Sequence, residues 1–393
     1  MKILHIGKYY PPALGGIEYF LQDLVQEQVK TGHQIKVLCH QHFAGKAELT
    51  VKNSVEIYRA ASWGTLAYAP VSPMFGRGLS RLTRSFAPSI IHVHMPNLSA
   101  FWVLHFCQNT PIVLHWHSDV ITSNRQMKLR LLYPGYRFFE QRLLKKAKNI
   151  IVTSEEYLKH SRPLEKYKDK CKIIPLGVSL DRLKTETDEY ANAYTGINNC
   201  RFADKKHQGF KDYDFTVLSV GRFTYYKGFE YLIQAARYLP KTRFIVVGDG
   251  PLRHKLQKLC QKIGVADRVS LPGKLNDGQL AEIIKGSDVF CLPSIEKTEA
   301  FGLVLLEAMA YGKALITTNV QGSGMNEVNI HGHTGLVVPP ESIQGLVRGL
   351  QNILSKSELR NWLGVNSRKR LLEKFLISNV ANQIDKVYFS CLV

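Results

Sequence analysis

The amino-acid sequence predicts an α/β protein that contains two doubly wound parallel sheets. Three observations support this prediction: short apolar runs alternate with longer helical patterns, the alternation occurs in two series, and a polar stretch separates the series. Parallel strands covered on both faces appear as short apolar runs, and strand–helix alternation is typical of right-handed crossovers. A length of 393 residues suits two domains better than one core.

Six strands are predicted in each series. Those of the first series lie at residues 3–6, 35–39, 55–58, 90–94, 112–116 and 150–153. Those of the second series lie at residues 215–220, 244–247, 269–271, 289–292, 314–317 and 336–338. Apolar residues at helical spacing predict helices at 17–31 and 229–238, and a terminal helix pair at 371–388.

The polar stretch fixes the expected domain organisation. We expect an N-terminal domain at residues 1–185, a linker with an exposed excursion at 186–213, a C-terminal domain at 214–372 and a final helix at 373–393. The excursion has no periodic apolar face, and the sequence assigns it no role.

Composition excludes several classes of protein. No run of about 18 apolar residues occurs, so a transmembrane helix is not expected. His5 and Lys8 interrupt the first apolar stretch, and no signal peptide is predicted. The seven cysteines are odd in number and scattered, which gives little support to a disulfide framework or a zinc site. We expect a cytoplasmic protein.

The charge is strongly positive. Lys and Arg number 52 against 32 Asp and Glu, a formal net charge of +20, which favours polyanionic partners such as nucleic acid, phosphorylated small molecules or an acidic membrane face. Residues 125–148 contain eight basic side chains and one acid, Glu140. The apolar residues at helical spacing within this stretch are Tyr136, Phe139, Leu143 and Ala147. A basic helix resting on anionic lipid is one interpretation, and a buried apolar face with a solvated basic one is the other.

Two cations follow the first strand of the second series. Arg222 and Lys227 lie in the loop between the strand at 215–220 and the helix at 229–238. Open α/β sheets bind ligands at the carboxyl edge of their strands, and two cations beside a helix start can clamp a diphosphate. The alternative is a solvated pair on a surface loop.

Two acids flank an apolar segment in the same half. The segment at 303–312 is apolar enough for a core helix, so an acid at Glu307 needs a partner. Glu307 is suited to accept hydrogen bonds from the two hydroxyls of a ribose. Glu299 can hold a sugar hydroxyl while the amides of residues 301–303 meet phosphate oxygens. A capping Glu299 and a salt-bridged Glu307 are the structural alternatives.

The first half offers a glycine pair and four histidines. Gly15 and Gly16 precede a helix whose free amides suit a phosphate, although the spacing is not a dinucleotide fingerprint. Histidines two residues apart end two successive strands and share one face of each; they are His92, His94, His115 and His117. They suggest a metal site at first, but Asp119 is the only carboxylate candidate to complete one, and we expect no bound metal. The sequence Asp212-Tyr213-Asp214 matches a DxD metal motif but precedes its strand, so we interpret it as a solvated turn.

In this order along the chain, these motifs resemble glycosyltransferase family 4 on the GT-B fold. Further matches are Gly248-Asp249-Gly250-Pro251 and Ile174-Pro175-Leu176-Gly177-Val178. The resemblance spans nearly the whole chain and is more specific than any single motif. It implies two Rossmann-like doubly wound domains that face a central cleft, with the final helix crossing back to the N-terminal domain.

The resemblance also implies roles for individual residues in a retaining transfer from a nucleotide-diphosphate sugar. The implied diphosphate contacts are Arg222, Lys227 and the amides of Gly15, Gly16, Phe301, Gly302 and Leu303. Glu299 orients the donor sugar, and Glu307 holds the ribose. Lys274 and Leu275 lie against the base, and His117 lies near the reaction centre. No divalent metal or other cofactor is implied.

The substrates are only partly indicated. His117-Ser118-Asp119 resembles bacterial members that use GDP-mannose, and UDP-sugars stay open. The expected acceptor is a lipid-linked saccharide of a cell-surface polysaccharide or glycolipid, with the enzyme cytoplasmic or peripheral on the inner membrane face. A GT-B epimerase or phosphorylase is the alternative enzyme, and a basic nucleic-acid binder is disfavoured because no motif supports it. Linkage, oligomeric state and the choice between front-face attack and double displacement are left open.

Overall fold

The computed structural model describes residues 1–392 apart from 14, 67–68, 121–126 and 184–212. The predicted excursion lies outside the described residues up to residue 212, as does Asp212 of the DxD motif. The chain divides into two compact units, Met1–Gly177 with Ile377–Val393, and Val178–Leu376.

The first unit is built on strands that alternate with helices. Its strands are β1 (Lys2–Ile6), β2 (Gln34–His40), β3 (Glu48–Lys52), β4 (Val55–Ala60), β5 (Thr65–Leu66), β6 (Ala69–Pro70), β7 (Ile90–Met95), β8 (Ile112–Trp116), β9 (Asn149–Val152) and β10 (Cys171–Ile173). Its helices are α1 (Gly16–Lys30), α2 (Phe75–Phe86), α3 (Val103–Phe106), α4 (Met127–Lys146), α5 (Glu155–His160) and, from the C-terminus, the helix Ile377–Leu392.

The sheet of the first unit has eight strands in the order β10-β9-β8-β7-β1-β2-β4-β3. All neighbours are parallel except β3, which pairs antiparallel with β4. The six strands predicted for this half are confirmed. The sequence missed the two edge strands, β3 and β10, because both are largely exposed and neither has a long apolar run. The strand order reverses beside β1, so the loops after β1 and β7 flank a topological switch point.

The second unit repeats this architecture. Its strands are β11 (Phe215–Val220), β12 (Thr242–Val247), β13 (Val269–Gly273), β14 (Val289–Leu292), β15 (Ala314–Thr318) and β16 (Gly335–Val338). Its helices are α6 (Leu180–Leu183), α7 (Phe229–Ala235), α8 (Arg253–Lys262), α9 (Asp277–Gly286), α10 (Leu303–Ala310), α11 (Met325–Val328), α12 (Ile343–Leu354) and α13 (Ser357–Lys374). In that numbering the helix Ile377–Leu392 is α14.

The second sheet is entirely parallel, in the order β13-β12-β11-β14-β15-β16. All six predicted strands are present, and a fully buried cluster of side chains from β11, β12, β14, α7 and α12 forms the core beneath them. The order reverses between β11 and β14. The loops that follow these two strands therefore flank the position where open α/β sheets bind ligands.

The last helix belongs to the first unit. The predicted terminal pair at 371–388 corresponds to two longer helices, α13 and α14, and Phe375 directly follows α13. Helix α14 packs against α1, and Ile384 and Tyr388 on its inner face are fully buried. The first unit thus contains both ends of the chain.

Candidate active site

Three loops meet closely at the carboxyl edge of the second sheet. Gly228 has a φ of +65°, and a Cβ atom there would lie 2.1 Å from the carbonyl oxygen of Pro293. Gly248 has a φ of +141°, and its Cβ would lie 1.9 Å from the carbonyl oxygen of Gly221. Only glycine fits positions with both a positive φ and so little space. These glycines allow the loops after β11, β12 and β14 to converge at the switch point.

Lys227 and Glu299 form an ion pair between two of these loops. Their Nζ and Oε2 atoms are 2.5 Å apart, and both residues are buried. Ser294 also donates a hydrogen bond to Oε2, at 3.1 Å. Burial alone lowers the pKa of Lys227, but the carboxylate of Glu299 and the neighbouring Tyr226 raise it above its ordinary value. The ammonium group is therefore held charged in the interior. The sequence did not indicate Ser294.

Three further predicted donor contacts of the second unit, Arg222, Lys274 and Leu275, follow strands at the same edge. Arg222 lies two residues after the end of β11 and is exposed, unlike Lys227. Lys274 and Leu275 follow β13, the outermost strand on that side; Lys274 is exposed and Leu275 half-buried. The edge therefore combines the buried cation Lys227 with the exposed cationic side chains of Arg222 and Lys274.

Helix α10 begins beside Glu299. Gly302, which precedes it, has a φ of +80° and offers no side chain to cap the first turn. Phe301 and Leu303 are buried on either side. The segment is held in place from α11, because the amide of Gly324 donates to the carbonyl oxygen of Ala300 at 2.7 Å. The first amides of a helix carry partial positive charge and suit an anion.

Glu307 lies in the middle of α10 and is salt-bridged, as the structural alternative expected. Its Oε1 accepts a hydrogen bond at 3.1 Å from Nη2 of Arg182, a residue of α6. Both side chains are buried. The partner was not found from the sequence because Arg182 precedes the predicted linker, 125 residues before Glu307.

In the first unit, Gly15 and Gly16 lie at the start of α1. Gly15 has extended backbone, and a Cβ atom there would lie 2.2 Å from Oε2 of Glu18. The carboxylate of Glu18 thus folds back over the helix start, and burial raises its pKa. The predicted phosphate contact at Gly16 is exposed but has this acid as its neighbour.

His117 is the end member of a cluster of five buried histidines. They lie on three adjacent strands and are His5 of β1, His92 and His94 of β7, His115 of β8 and His117 just after it. The register places His5 opposite His92 and His94 opposite His115. Burial lowers the pKa of His117 to about 3 and that of His5 to about 4. All five imidazoles are therefore neutral at physiological pH. The sequence missed His5 because its neighbours in β1 are apolar.

Two triads in this cluster have the composition of a metal site. The ligand atoms of His5, His92 and His94, and those of His94, His115 and His117, lie within 4.8 Å of one another. However, the rings of His94 and His117 are within 12° of parallel, and their nitrogens are 3.0 Å apart in a shared hydrogen bond. Such a pair needs a proton between the nitrogens. The geometry favours a hydrogen-bonded cluster over a chelate, and the absence of a resident metal stays a prediction.

Asp119, the only carboxylate considered for that metal site, has other partners. It accepts hydrogen bonds from Nε1 of Trp116 at 2.9 Å and from Oγ of Ser161 at 2.6 Å. Its amide donates to the hydroxyl of Tyr157 at 2.5 Å. The carboxylate thus fixes the chain just after β8, next to His117.

The basic stretch includes helix α4, whose surface agrees in part with each of the two interpretations. Leu143 and Ala147 are buried, as the interpretation of a buried apolar face with a solvated basic one expected. Phe139 of the predicted set is exposed, and so are Leu131, Leu132 and Phe138, which that set did not include. Exposed basic residues surround them, namely Arg130, Arg137, Arg142, Lys145 and Lys148. Arg125 lies outside the described residues, as does the side chain of Lys128.

Among the helices that the structure describes, none is both long and apolar enough to cross a bilayer.

Two family models match the chain. Residues 14–182 match Glycosyltransferase Family 4, and residues 201–370 match Glycosyl transferases group 1. The first match contains four of the five clustered histidines, all but His5, and the second contains Lys227, Glu299 and Glu307.

Relatives align with nearly the whole chain. The O-antigen chain mannosyltransferase C of Escherichia coli is 27% identical over 395 residues, covering 100% of this chain and 99% of the relative. A D-rhamnosyltransferase of Pseudomonas aeruginosa is 27% identical over 386 residues, covering 95% and 92%. Sucrose-phosphate synthase from Thermosynechococcus elongatus superimposes with a TM-score of 0.80 at 23% identity, covering 99% of this chain and 98% of that one. This structural likeness confirms the predicted GT-B fold.

Proposed function

The chain belongs to glycosyltransferase family 4, and from that premise we propose that it moves a hexose from a nucleotide-diphosphate sugar to a saccharide acceptor with retention of configuration. GDP-mannose is the favoured donor, and UDP-sugars are the alternative. The favoured acceptor is a lipid-linked saccharide of a surface polysaccharide or glycolipid. The relatives named for O-antigen mannosyl and rhamnosyl transfer support this choice.

The buried pair of Lys227 and Glu299 is the observation that supports the proposal most strongly. A buried ammonium is costly unless a charged partner compensates it. Here the partner is a carboxylate 2.5 Å away, at the switch-point edge and beside the start of α10. A diphosphate can replace that carboxylate at Lys227, since it offers the same charge and more acceptor oxygens. Glu299 would then be released to accept a hydrogen bond from the donor sugar.

The departing diphosphate gains negative charge as the anomeric bond breaks. In the proposed reaction Lys227, Arg222 and the amides of Phe301, Gly302 and Leu303 stabilise that charge. A preorganised donor of this kind lowers a barrier by about 3–4 kcal/mol, by analogy with oxyanion holes. We therefore propose that transfer needs no divalent metal and that a chelator leaves the rate unchanged.

The remaining donor contacts are proposed on the same edge. Glu307, which accepts a hydrogen bond from Arg182, would accept hydrogen bonds from the ribose. Lys274 and Leu275 would lie against the base. In the first unit, His117 is proposed near the reaction centre, and Gly15 and Gly16 near the diphosphate. The sequence resemblance supports these assignments.

Ligand binding to the native state tests the donor. We expect GDP and GDP-mannose to raise the Tm more than UDP, ADP and their sugars, because a ligand that binds only the folded state stabilises it. Lys227→Ala should lose the shift, whereas Lys258→Ala, an exposed lysine on α8, should keep it. A panel in which no nucleotide stabilises the protein would contradict the proposal.

Product analysis tests the reaction class. With a labelled donor and a lipid-linked saccharide we expect the label in the acceptor, with the anomeric configuration of the donor. Label recovered as an epimerised nucleotide sugar or as a sugar phosphate would instead identify an epimerase or a phosphorylase. Salt-sensitive binding to DNA without sugar transfer would indicate the nucleic-acid binder.

We also propose that the α4 surface, defined by Leu131, Leu132, Phe138, Phe139 and the basic side chains around them, rests on an anionic membrane face. Leu131 is 82% exposed. Basic residues beside exposed apolar ones are typical of helices that lie in a lipid interface. The guanidinium of Arg142 lies 4.2 Å from the ring centre of Phe138, so charge and apolar area occupy one patch.

Vesicle flotation tests this surface. We expect binding to vesicles that contain anionic lipid and little binding to neutral ones. Arg137→Glu with Arg142→Glu should abolish it. The control, Lys258→Glu with Lys262→Glu on α8, changes the net charge equally and should retain binding. Equal loss in both variants would show that net charge alone, and not the α4 surface, attracts the protein.

A further inference from the structure

A line of hydrogen-bonded polar side chains crosses the interior of the first unit and ends at His117. Its members come from four elements and the loop after β8, and are Asp385, Gln28, His5, His94 and His117. All but Asp385 are fully buried or nearly so, and Asp385 lies at the rim, where it also accepts from His33 at 3.0 Å. The proposed reaction does not by itself require that buried residues as distant from His117 as Gln28 and Asp385 be polar.

The carboxylate of Asp385 sets the direction of the line at its outer end. A carboxylate only accepts hydrogen bonds, so Nε2 of Gln28 must donate to it, across 3.4 Å. The same Nε2 also donates to the hydroxyl of Tyr388 at 3.3 Å. The amide of Gln28 is thereby oriented with its oxygen toward His5, since the opposite orientation would place two oxygens against each other.

Each following bond inherits this direction. Oε1 of Gln28 accepts from Nε2 of His5 at 2.9 Å, which leaves Nδ1 of His5 as an acceptor because a neutral imidazole has one proton. His94 therefore donates from Nε2 to His5, at 3.2 Å. Nδ1 of His94 then accepts from Nε2 of His117, at 3.0 Å.

Neutrality of the rings is required for this alternation. Burial lowers the pKa of His5 to about 4, that of His117 to about 3, and that of His94 well below its ordinary value. The rings in contact with these three are other histidines and Phe20, and Gln28 and His33 also act on His5. Because each ring carries one proton and each hydrogen bond has one donor, only one assignment of the ring protons is consistent with all the bonds.

We propose that Asp385, acting through Gln28, His5 and His94, fixes His117 in its Nε2–H tautomer and so presents Nδ1 as a hydrogen-bond acceptor for a sugar hydroxyl. Nδ1 of His117 is buried and has no hydrogen-bond partner among the residues described. Gln28 and Asp385 are positioning residues in this scheme. The inference deepens the proposed function, because it rests on His117 meeting the substrate.

The tautomer can be observed without any sugar. In ¹⁵N-histidine-labelled full-length protein, long-range ¹H–¹⁵N spectra distinguish protonated from unprotonated ring nitrogens. We expect His5, His94 and His117 each to have Nε2 protonated and Nδ1 unprotonated. A proton on Nδ1 of His117 in the wild type would overturn the proposal. So would metal in the purified protein at one ion per chain, with the rings shifted as ligands.

Two variants break the line and a third serves as the control. Asp385→Asn replaces an acceptor by a group that can also donate, and Gln28→Leu removes the link. In both, the Nδ1 and Nε2 resonances of His117 should move toward the average of the two tautomers. Tyr388→Phe removes the second contact of Gln28 but keeps the carboxylate, and should leave His117 as in the wild type. An unchanged His117 spectrum in folded Asp385→Asn would refute the inference.

Kinetics connect the tautomer with transfer. Asp385→Asn should lower kcat by at least about tenfold, since a wrong histidine tautomer is costly in acid–base sites, and should change the donor KM less than about twofold. If the spectra show the expected tautomers but the wild type transfers no sugar, the proposed function fails and the line of hydrogen bonds is still supported. If transfer occurs and the spectra show other tautomers, only the inference about this line fails.

Discussion

The ion pair between Lys227 and Glu299 is expected to affect both the stability and the activity of the protein, and the two effects can be measured separately. The pair is buried, and Nζ and Oε2 are 2.5 Å apart. Removing one member leaves the other charge uncompensated in the interior, whereas removing both leaves none. A diphosphate site depends on the ammonium itself, so stability and turnover should respond differently to the two changes.

We predict that Lys227→Ala lowers the free energy of unfolding by about 3 kcal/mol and abolishes turnover. The double variant Lys227→Met with Glu299→Gln should regain most of the stability and none of the activity. Urea unfolding and a donor-turnover assay measure the two effects. Activity in the stable double variant would show that the pair is structural.

Glu140 is a second residue whose environment predicts a measurable effect. It is fully buried on α4, and the neighbouring Tyr136 hydroxyl and Arg137 guanidinium only partly offset the cost of burying its charge. Burial, and then the charge of Asp119, raise its pKa to about 8. The folded state therefore retains a proton that the unfolded state has lost between about pH 4.5 and 8, so stability contributed by this group falls as pH rises through that window.

Glu140→Met should remove this loss. We expect the variant and the wild type to be similar near pH 5, and the variant to be more stable by up to about 4 kcal/mol above pH 8. Chemical unfolding at a series of pH values measures the difference. A constant difference across the range would contradict the raised pKa.

At the scale of elements, β1, β7 and β8 share one buried face that contains the histidine cluster. Because burial lowers the pKa values of these imidazoles, the unfolded chain binds more protons than the folded one below about pH 6.5. The stability that neutral histidines allow is present above pH 6.5 and is lost as the pH falls toward 4. The strands of this sheet should therefore unfold in mild acid.

His115 allows a direct test. Both of its ring nitrogens are buried without a hydrogen-bond partner among the described residues, so Phe can replace it without breaking a hydrogen bond. We predict that His115→Phe stabilises the protein and reduces the pH dependence by up to about 1.4 kcal/mol per pH unit between pH 6.5 and 4. Thermal unfolding across this range measures it. Destabilisation at neutral pH would indicate that His115 has a ligand or partner.

At the scale of the whole molecule, helix α14 joins the far end of the chain to the first unit. Ile384 is fully buried in this helix, which packs against α1. The order of unfolding should therefore follow the spatial units, not the order along the chain. A defect near the C-terminus is expected to affect strands near the N-terminus.

We predict that Ile384→Ala costs about 2–4 kcal/mol and lowers hydrogen-exchange protection in β1 and β7, while β11 and β14 stay protected. Val365→Ala on α13, where Val365 is 42% exposed, is the matched control and should change little. Equal loss of protection in both sheets would mean that the two units unfold together.

Local pattern was enough to predict most strands and much of the candidate site. All twelve predicted strands are present, because parallel strands covered by helices leave apolar runs that need no partner to be recognised. Arg222, Lys227, Glu299 and Glu307 were singled out as candidates because they are charged residues in or beside such apolar segments. The edge strand β3 has no such run and was missed.

The sequence by itself therefore determined the two-sheet architecture, the family, and the residue types at the carboxyl edges of the strands. Only the tertiary structure decided their partners: Arg182 for Glu307, Ser294 and Lys227 for Glu299, and Gln28 for His5. The physical reason is the distance along the chain over which each signal acts. Hydrophobic periodicity is a property of a few neighbouring residues, whereas a buried polar group must be satisfied by whichever side chain the folded chain brings within about 3 Å.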